Sequence, residues 1–97
     1  MIESQNRILI VDDEPFNLYG LENILKLAIT RCGYSSVLID RLVDQASNGK
    51  EAVNMVKKLY QDKGQLYGLI ITDLSMPVMD GYDEAVQIRN FLYQEIL

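Results

Sequence analysis

The chain contains no histidine and only one cysteine among its 97 residues. Without histidine there is no Ser-His or Cys-His nucleophile pair and no imidazole acid–base chemistry. The single cysteine, Cys32, cannot form an intramolecular disulfide, and no Cys/His metal site can be assembled. Basic residues are few, nine Lys and Arg against fourteen Asp and Glu, and the net charge of −5 argues against nucleic acid or an anionic membrane as a direct partner. Long apolar stretches are missing too. The run Gly68-Leu69-Ile70-Ile71 is far short of the roughly 20 residues a membrane helix needs. The start, Met1 to Arg7, lacks a basic segment followed by an apolar one, so no secretory signal is visible, and no Asn-x-Ser/Thr sequon occurs. A cytoplasmic location without direct membrane contact is the expectation, and a lone reduced cysteine fits it.

What is present is the composition of an ordinary globule, 48% apolar and 24% charged. The length allows one domain, residues 1–97, able to bury roughly two-thirds of its unfolded surface. Arg7 to Val11 is a short apolar run that stops abruptly at Asp12-Asp13-Glu14, as a strand buried on both faces does when it ends at a functional edge. Pro15 suits the first turn of a helix, and Leu18, Leu21, Leu25 and Ala28 define its apolar face, with Glu22 and Lys26 paired outside. This helix is expected to stop near Cys32-Gly33. Tyr34 to Leu42 reads as a loop or the frayed start of a strand, and Leu42 to Ala46 as a short strand. Asn48 and Glu51 have capping-box spacing for a second helix whose buried face is Ala52, Val56 and Leu59 and whose end is Gly64. Tyr67 to Thr72 is a second buried strand, ending at Asp73. Ala85, Ile88, Leu92 and Ile96 mark a third long helix. Strand and helix alternating three times predict a parallel α/β sheet.

In an open parallel sheet, ligands bind outside the carboxyl ends of the strands. Two strands here end at acids, Asp12, Asp13 and Glu14 after the first and Asp73 after the third. Carboxylates gathered at one point repel by up to several kcal/mol per close pair. No Lys or Arg occurs from Gly64 to Ile88 to offset them. A hard divalent ion such as Mg²⁺, which takes one or two carboxylates plus waters and phosphate oxygens, answers that need. A carboxylate beside such an ion can attack phosphorus. Acids at a helix start also interact well with its dipole, so capping is a simpler account of Asp12 to Glu14, and charge clustering alone leaves both open.

The segment Asp73-Leu74-Ser75-Met76-Pro77-Val78-Met79-Asp80-Gly81 carries more. Together with Val11-Asp12-Asp13-Glu14 and Ala46-Ser47-Asn48-Gly49-Lys50-Glu51-Ala52, in that order along the chain, it resembles the response-regulator receiver domain of two-component signalling. The run Glu14 to Asn17 is most similar to receivers of hybrid histidine kinases. The resemblance implies a flavodoxin-like, doubly wound parallel sheet with strand order 2-1-3 present. It also implies that Asp73 is the phosphoacceptor, that Asp13 binds Mg²⁺ directly and Asp12 through water, and that the Ser75 backbone carbonyl adds an oxygen. The implied role is acceptance of phosphate from phosphohistidine on a histidine kinase or histidine phosphotransfer protein, and not that of a conventional enzyme. Pro77 is expected to stiffen the turn, Met76 and Met79 to pack, Asp80 to cap a helix, and Gly81 to adopt a backbone shape closed to other residues.

Two rival readings fail on the same residues. The twelve residues Asp73 to Glu84 superficially resemble an EF-hand loop, but position 6, which must be glycine, is Val78. A dehalogenase-type phosphatase needs an Asp-x-Asp pair, and residue 75 is serine.

Receivers have five βα units in strand order 2-1-3-4-5, about 120 residues at roughly 25 per unit. The chain is therefore expected to hold the N-terminal three, with strands four and five missing. The family's strand-four Thr or Ser and strand-five Lys have no counterpart, since no lysine follows Lys63 and Thr72 sits on strand three. Strand three is expected to be an exposed edge, open to homo-oligomer or swapped-dimer pairing. A fragment, a sheet completed by another chain, and a truncated receiver that binds partners without phosphotransfer are the three alternatives.

Overall fold

The computed structural model describes residues 7–76 and 78–95, without the side chain of Leu38. The expectations placed on Met1 to Asn6, Pro77 and Ile96 lie outside the described residues. The elements run β1 (Ile8–Val11), α1 (Pro15–Arg31), α2 (Leu38–Leu42), β2 (Val43–Ala46), α3 (Gly49–Lys63), β3 (Leu69–Thr72) and α4 (Gly81–Glu95). Among the described residues the sheet has three parallel strands in the order β2-β1-β3, as expected of the flavodoxin-like arrangement. No helix of the described residues is long and apolar enough to cross a membrane.

β1 is central, so every ladder group is paired and both faces are covered. Its Ile-Leu-Ile-Val run meets that demand, and Leu9 and Ile10 have no exposed surface. Strand alternation divides the core into two layers. Leu9, Val11 and Ala46 pack with Ala52, Val53 and Val56 of α3 and Ile88 and Phe91 of α4. Ile10 and Val43 pack on the other side with Leu18 of α1 and with Ile39 and Leu42 of α2.

Four expectations are corrected by this packing. The stretch Tyr34 to Leu42 contains a helix, α2, because Ile39 and Leu42 must be delivered under the sheet. α1 presents Ile29 to the core, whereas Ala28 is exposed. β3 is shorter than Tyr67 to Thr72 and none of its residues is buried, since it pairs with β1 along one edge only. On α4 the buried positions are Gly81, Glu84, Ile88 and Phe91, so Ala85 is exposed and Leu92 only half-buried. That stripe contains a carboxyl group, which is why apolar spacing misplaced the face.

α3 begins as expected. The Asn48 Oδ1 accepts a hydrogen bond from the Glu51 N–H at 2.8 Å. Glu51 does not reach back to the cap residue itself. Its carboxylate accepts instead from the hydroxyl of Ser47 at 2.9 Å and from the Ser47 N–H at 3.4 Å. Gly64, at φ +65°, closes the helix in the left-handed conformation that glycine adopts without strain.

At the amino edge of the sheet, Asp44 of β2 accepts from Arg7 Nε at 3.1 Å and from the Tyr67 hydroxyl at 2.6 Å. Arg7 Nη2 also pairs with Asp44, the ion pair found among the described residues, and Glu22 and Lys26 form none. Burial and the neighbouring Asp44 carboxylate push the Tyr67 hydroxyl well above its ordinary range. The segments before β1 and β3 are thus tied to β2 at the end opposite the acids. Replacing Asn48 with Ala removes the cap and is expected to lower unfolding stability by about 1 kcal/mol in urea titrations, with no change of fold by circular dichroism.

Candidate functional site

The register of the sheet assembles the site. Val11 is opposite Ala46 on one side and Thr72 on the other. The residues that follow, Asp12, Ser47 and Asp73, leave the three strands along one edge. The Asp12 N–H bonds the Ala46 carbonyl at 3.2 Å and the Asp73 N–H bonds the Val11 carbonyl at 3.0 Å, extending the ladder one step into the loops. Between β1 and β3 the chain connections diverge to opposite faces of the sheet, the position where doubly wound folds hold ligands.

Asp12, Asp13 and Asp73 each offer a carboxylate oxygen, and the three atoms lie within 4.8 Å of one another. Asp12 and Asp73 are half-buried and Asp13 is exposed. Each half-buried carboxylate is held by the backbone two residues on. Asp12 Oδ1 accepts from the Glu14 N–H at 3.0 Å, and Asp73 Oδ1 from the Ser75 N–H at 3.2 Å. Each is left with a second oxygen free of any hydrogen bond to the described residues. No Lys or Arg forms an ion pair with the three acids among the described residues.

Helix capping does not account for the cluster. Glu14 is the cap residue of α1 and makes no side-chain capping bond, and it is not part of the three-carboxylate group. The donor set, three hard oxygens with no protein cation, suits a divalent ion such as Mg²⁺ and no soft metal.

The loop from Asp73 to Gly81 is held by close backbone approaches at two glycines. Gly49 N–H donates to the Met79 carbonyl at 3.2 Å, and a Cβ on Gly49 would lie 2.4 Å from that oxygen. Gly81 N–H donates to the Leu74 carbonyl at 3.3 Å, and a Cβ there would lie 2.4 Å from the Asp73 carbonyl oxygen. Gly81 is therefore needed for space; its backbone is not in the left-handed region, contrary to expectation. Asp80 caps α4, its Oδ1 accepting from the Asp83 N–H at 2.9 Å, and Met76 is buried in the core with Met79 packed beside it. Val78 is held at φ +72°, an unusual conformation for a β-branched residue.

One feature of this region went unread in the sequence. Glu84, 1% exposed, is hydrogen-bonded through Oε1 to Thr72 Oγ1, and burial raises its pKa. The available signal was an acid in the three-and-four spacing of Gly81, Glu84, Ile88 and Phe91.

Fold and site together define a doubly wound α/β protein with an acidic centre at the carboxyl edge of its sheet. The family model of the response regulator receiver domain matches residues 8–95, and the chain belongs to that family, the receiver domains of two-component systems. It is 34% identical over 89 residues to the two-component response regulator ORR41 of Oryza sativa subsp. japonica, covering 92% of this chain and 60% of that protein. With the sensor protein EvgS of Escherichia coli (strain K12) it shares 35% identity over 82 residues, 84% of this chain and 5% of that one. Among solved structures it is similar to the receiver domain of the histidine kinase CKI1 from Arabidopsis thaliana, with TM-score 0.61, 22% identity and coverage of 95% of this chain and 60% of that one. The chemotaxis protein CheY4 of Vibrio cholerae gives TM-score 0.54 at 23% identity, covering 92% and 61%. At those identities the two structures establish the fold. The chain spans about 60% or less of the length of each of these proteins.

Gly81→Ala is expected to destabilise the protein by roughly 1–3 kcal/mol, because a backbone carbonyl cannot yield as a flexible side chain does. Urea unfolding measures the loss, and amide chemical shifts of Asp73 and Leu74 report the displaced loop.

Proposed function

We propose that the chain is a phosphoacceptor receiver in which Asp73 takes a phosphoryl group from phosphohistidine. The observation that carries the reading is the meeting of Asp12, Asp13 and Asp73 within 4.8 Å at the sheet's carboxyl edge with no protein cation paired to them. Asp13 and Asp73 hold Mg²⁺ directly in this reading, Asp12 through water, and the backbone carbonyl of Ser75 supplies a further oxygen. Bound Mg²⁺ supplies neutralisation of the phosphoryl charge. The Ser75 N–H occupies Asp73 Oδ1, which leaves Oδ2 as the attacking atom. An Oδ2–P bond forms as the N–P bond of phosphohistidine breaks, and the imidazole nitrogen keeps the electron pair.

The donor is a histidine kinase or a histidine phosphotransfer protein, because these 97 residues contain no histidine. The chain acts as a receiver module and not as a conventional enzyme, in the cytoplasm, without nucleic acid or direct membrane contact. Residues 1–97 are the first three βα units of the domain, and the open edge of β3 takes a further strand, from the rest of a longer polypeptide or from a second copy. Leu69 is 49% exposed there, and no basic residue guards the edge.

Treatment with acetyl phosphate and Mg²⁺ is expected to add one phosphoryl group by mass spectrometry in the wild type and none in Asp73→Asn. A folded protein that binds Mg²⁺ yet takes no label overturns phosphotransfer and leaves an interaction module. Asp13→Asn is expected to weaken Mg²⁺ binding by at least about 10–100-fold in calorimetric titration, the loss usual even for groups outside the metal's first layer. The 97-residue chain is expected to run larger than a monomer in sedimentation, and Leu69→Lys to shift it toward monomer with its helix content intact. A wild-type monomer with a high, cooperative melting transition contradicts edge pairing.

A further inference from the structure

Next to the acidic centre sits a chain of polar contacts that the phosphotransfer reading does not use. Thr72 Oγ1, the last side chain of β3, lies 3.2 Å from the Asp73 carbonyl oxygen and is also hydrogen-bonded to Glu84 Oε1 on the first turn of α4. The same Asp73 carbonyl lies against Gly81 at the start of that helix. On the other side, the Asp73 N–H is held by the Val11 carbonyl at 3.0 Å. Glu84 is 1% exposed, and its second oxygen, Oε2, is buried with no hydrogen-bond partner among the described residues.

Counting protons decides how this chain is wired. A carbonyl oxygen only accepts, so the contact between Thr72 and Asp73 uses the single hydroxyl proton of Thr72. The contact between Thr72 and Glu84 then needs a second proton, which only a neutral Glu84 carboxyl provides. An ionised Glu84 would draw the hydroxyl proton to itself, release the Asp73 carbonyl, and leave a buried charge without a cation. The orphaned Oε2 suits the neutral form, and burial raises the pKa in the same direction, outweighing the opposite pull of the Thr72 hydroxyl.

We infer that Glu84 is a positioning residue for Asp73, holding the Asp73 carbonyl in place through the Thr72 hydroxyl so that the acidic centre keeps its geometry. The wiring runs from the Glu84 carboxyl proton to Thr72 Oγ1, and from the Thr72 hydroxyl proton to the Asp73 carbonyl. With its N–H tied to β1 and its C=O tied through Thr72 to α4, the Asp73 backbone from which the carboxylate projects is fixed beside Asp12 and Asp13. A merely space-filling role would be met as well, or better, by leucine, which carries no polar atom. This assignment rests on Asp73 being the phosphoacceptor only for its kinetic consequence; the positioning itself is independent of phosphate.

Three variants test it. Glu84→Gln keeps the size and offers an N–H to Thr72, Glu84→Leu keeps the volume without a donor, and Thr72→Val removes the middle link. In amide spectra of the metal-free protein, Glu84→Leu and Thr72→Val are expected to shift the Asp73 and Ser75 resonances, and Glu84→Gln to leave them near their wild-type positions. With acetyl phosphate and Mg²⁺, Glu84→Gln is expected to label at about the wild-type rate, and the other two roughly tenfold more slowly. Glu84→Leu is also expected to melt at or above the wild-type temperature, which separates lost positioning from lost stability. Should Glu84→Leu not fold, Thr72→Val carries the test alone. Unmoved Asp73 and Ser75 resonances in a folded Glu84→Leu or Thr72→Val protein overturn the inference. If the wild type takes no phosphate while those resonances shift as expected, the phosphoacceptor reading fails and the positioning stands.

Discussion

The alignment of β1 with both of its neighbours is the constraint on which the site depends. Parallel strands lie about 4.8 Å apart, and here they are paired so that Val11, Ala46 and Thr72 end the sheet at one level. Whatever follows those residues is brought to one edge within reach of its neighbour. Asp12 and Asp73 follow, and Asp13 comes one residue later. Antiparallel pairing would send the two acidic strand ends to opposite edges. The sheet therefore does electrostatic work: burial of Leu9, Ile10 and Val11 holds like charges together that would separate in an unfolded chain. That repulsion makes the edge receptive to a hard cation, and solvent around Asp13 keeps its cost tolerable.

The loops around the acids are held by backbone contacts more than by side chains. Gly49 and Gly81 allow the starts of α3 and α4 to approach the segment after Asp73 to distances that a methyl group would forbid. Asn48 and Asp80 cap those two helices from the same side of the molecule. Val78 sits in a strained conformation on the outer surface of the loop between these anchors. Strain held at a loop tip between rigid supports is common where a segment serves a function beyond packing.

β3 gives the molecule an asymmetry. β1 is covered on both faces and paired on both edges, whereas β3 pairs on one edge and leaves Leu69 to Thr72 partly in solvent. A groove of about 290 Å³ beside it is lined by Ile70, Thr72, Glu84, Ile88, Arg89 and Leu92. Among the described residues the sheet ends on this apolar strand, which carries no charged side chain. The chain spans about 60% of the length of the rice response regulator and of the solved histidine-kinase receiver.

Much of this was legible in residue order alone. Acids at the ends of two apolar runs, Asn48 with Glu51 three residues on, and the segment from Asp73 to Gly81 are local signals, and local signals survive without a fold. They specified the strand–helix alternation, the family, and the three acids that come together. The covering of Ile39, the turn of the α4 face toward Glu84 and the reason for glycine at 81 were not legible. Each of these depends on which surfaces meet across the sheet, and no spacing along the chain carries that information. Glu84 shows the difference most clearly: in sequence it is one acid in an acidic helix, and it becomes a buried hydrogen-bond partner only because α4 packs against β3.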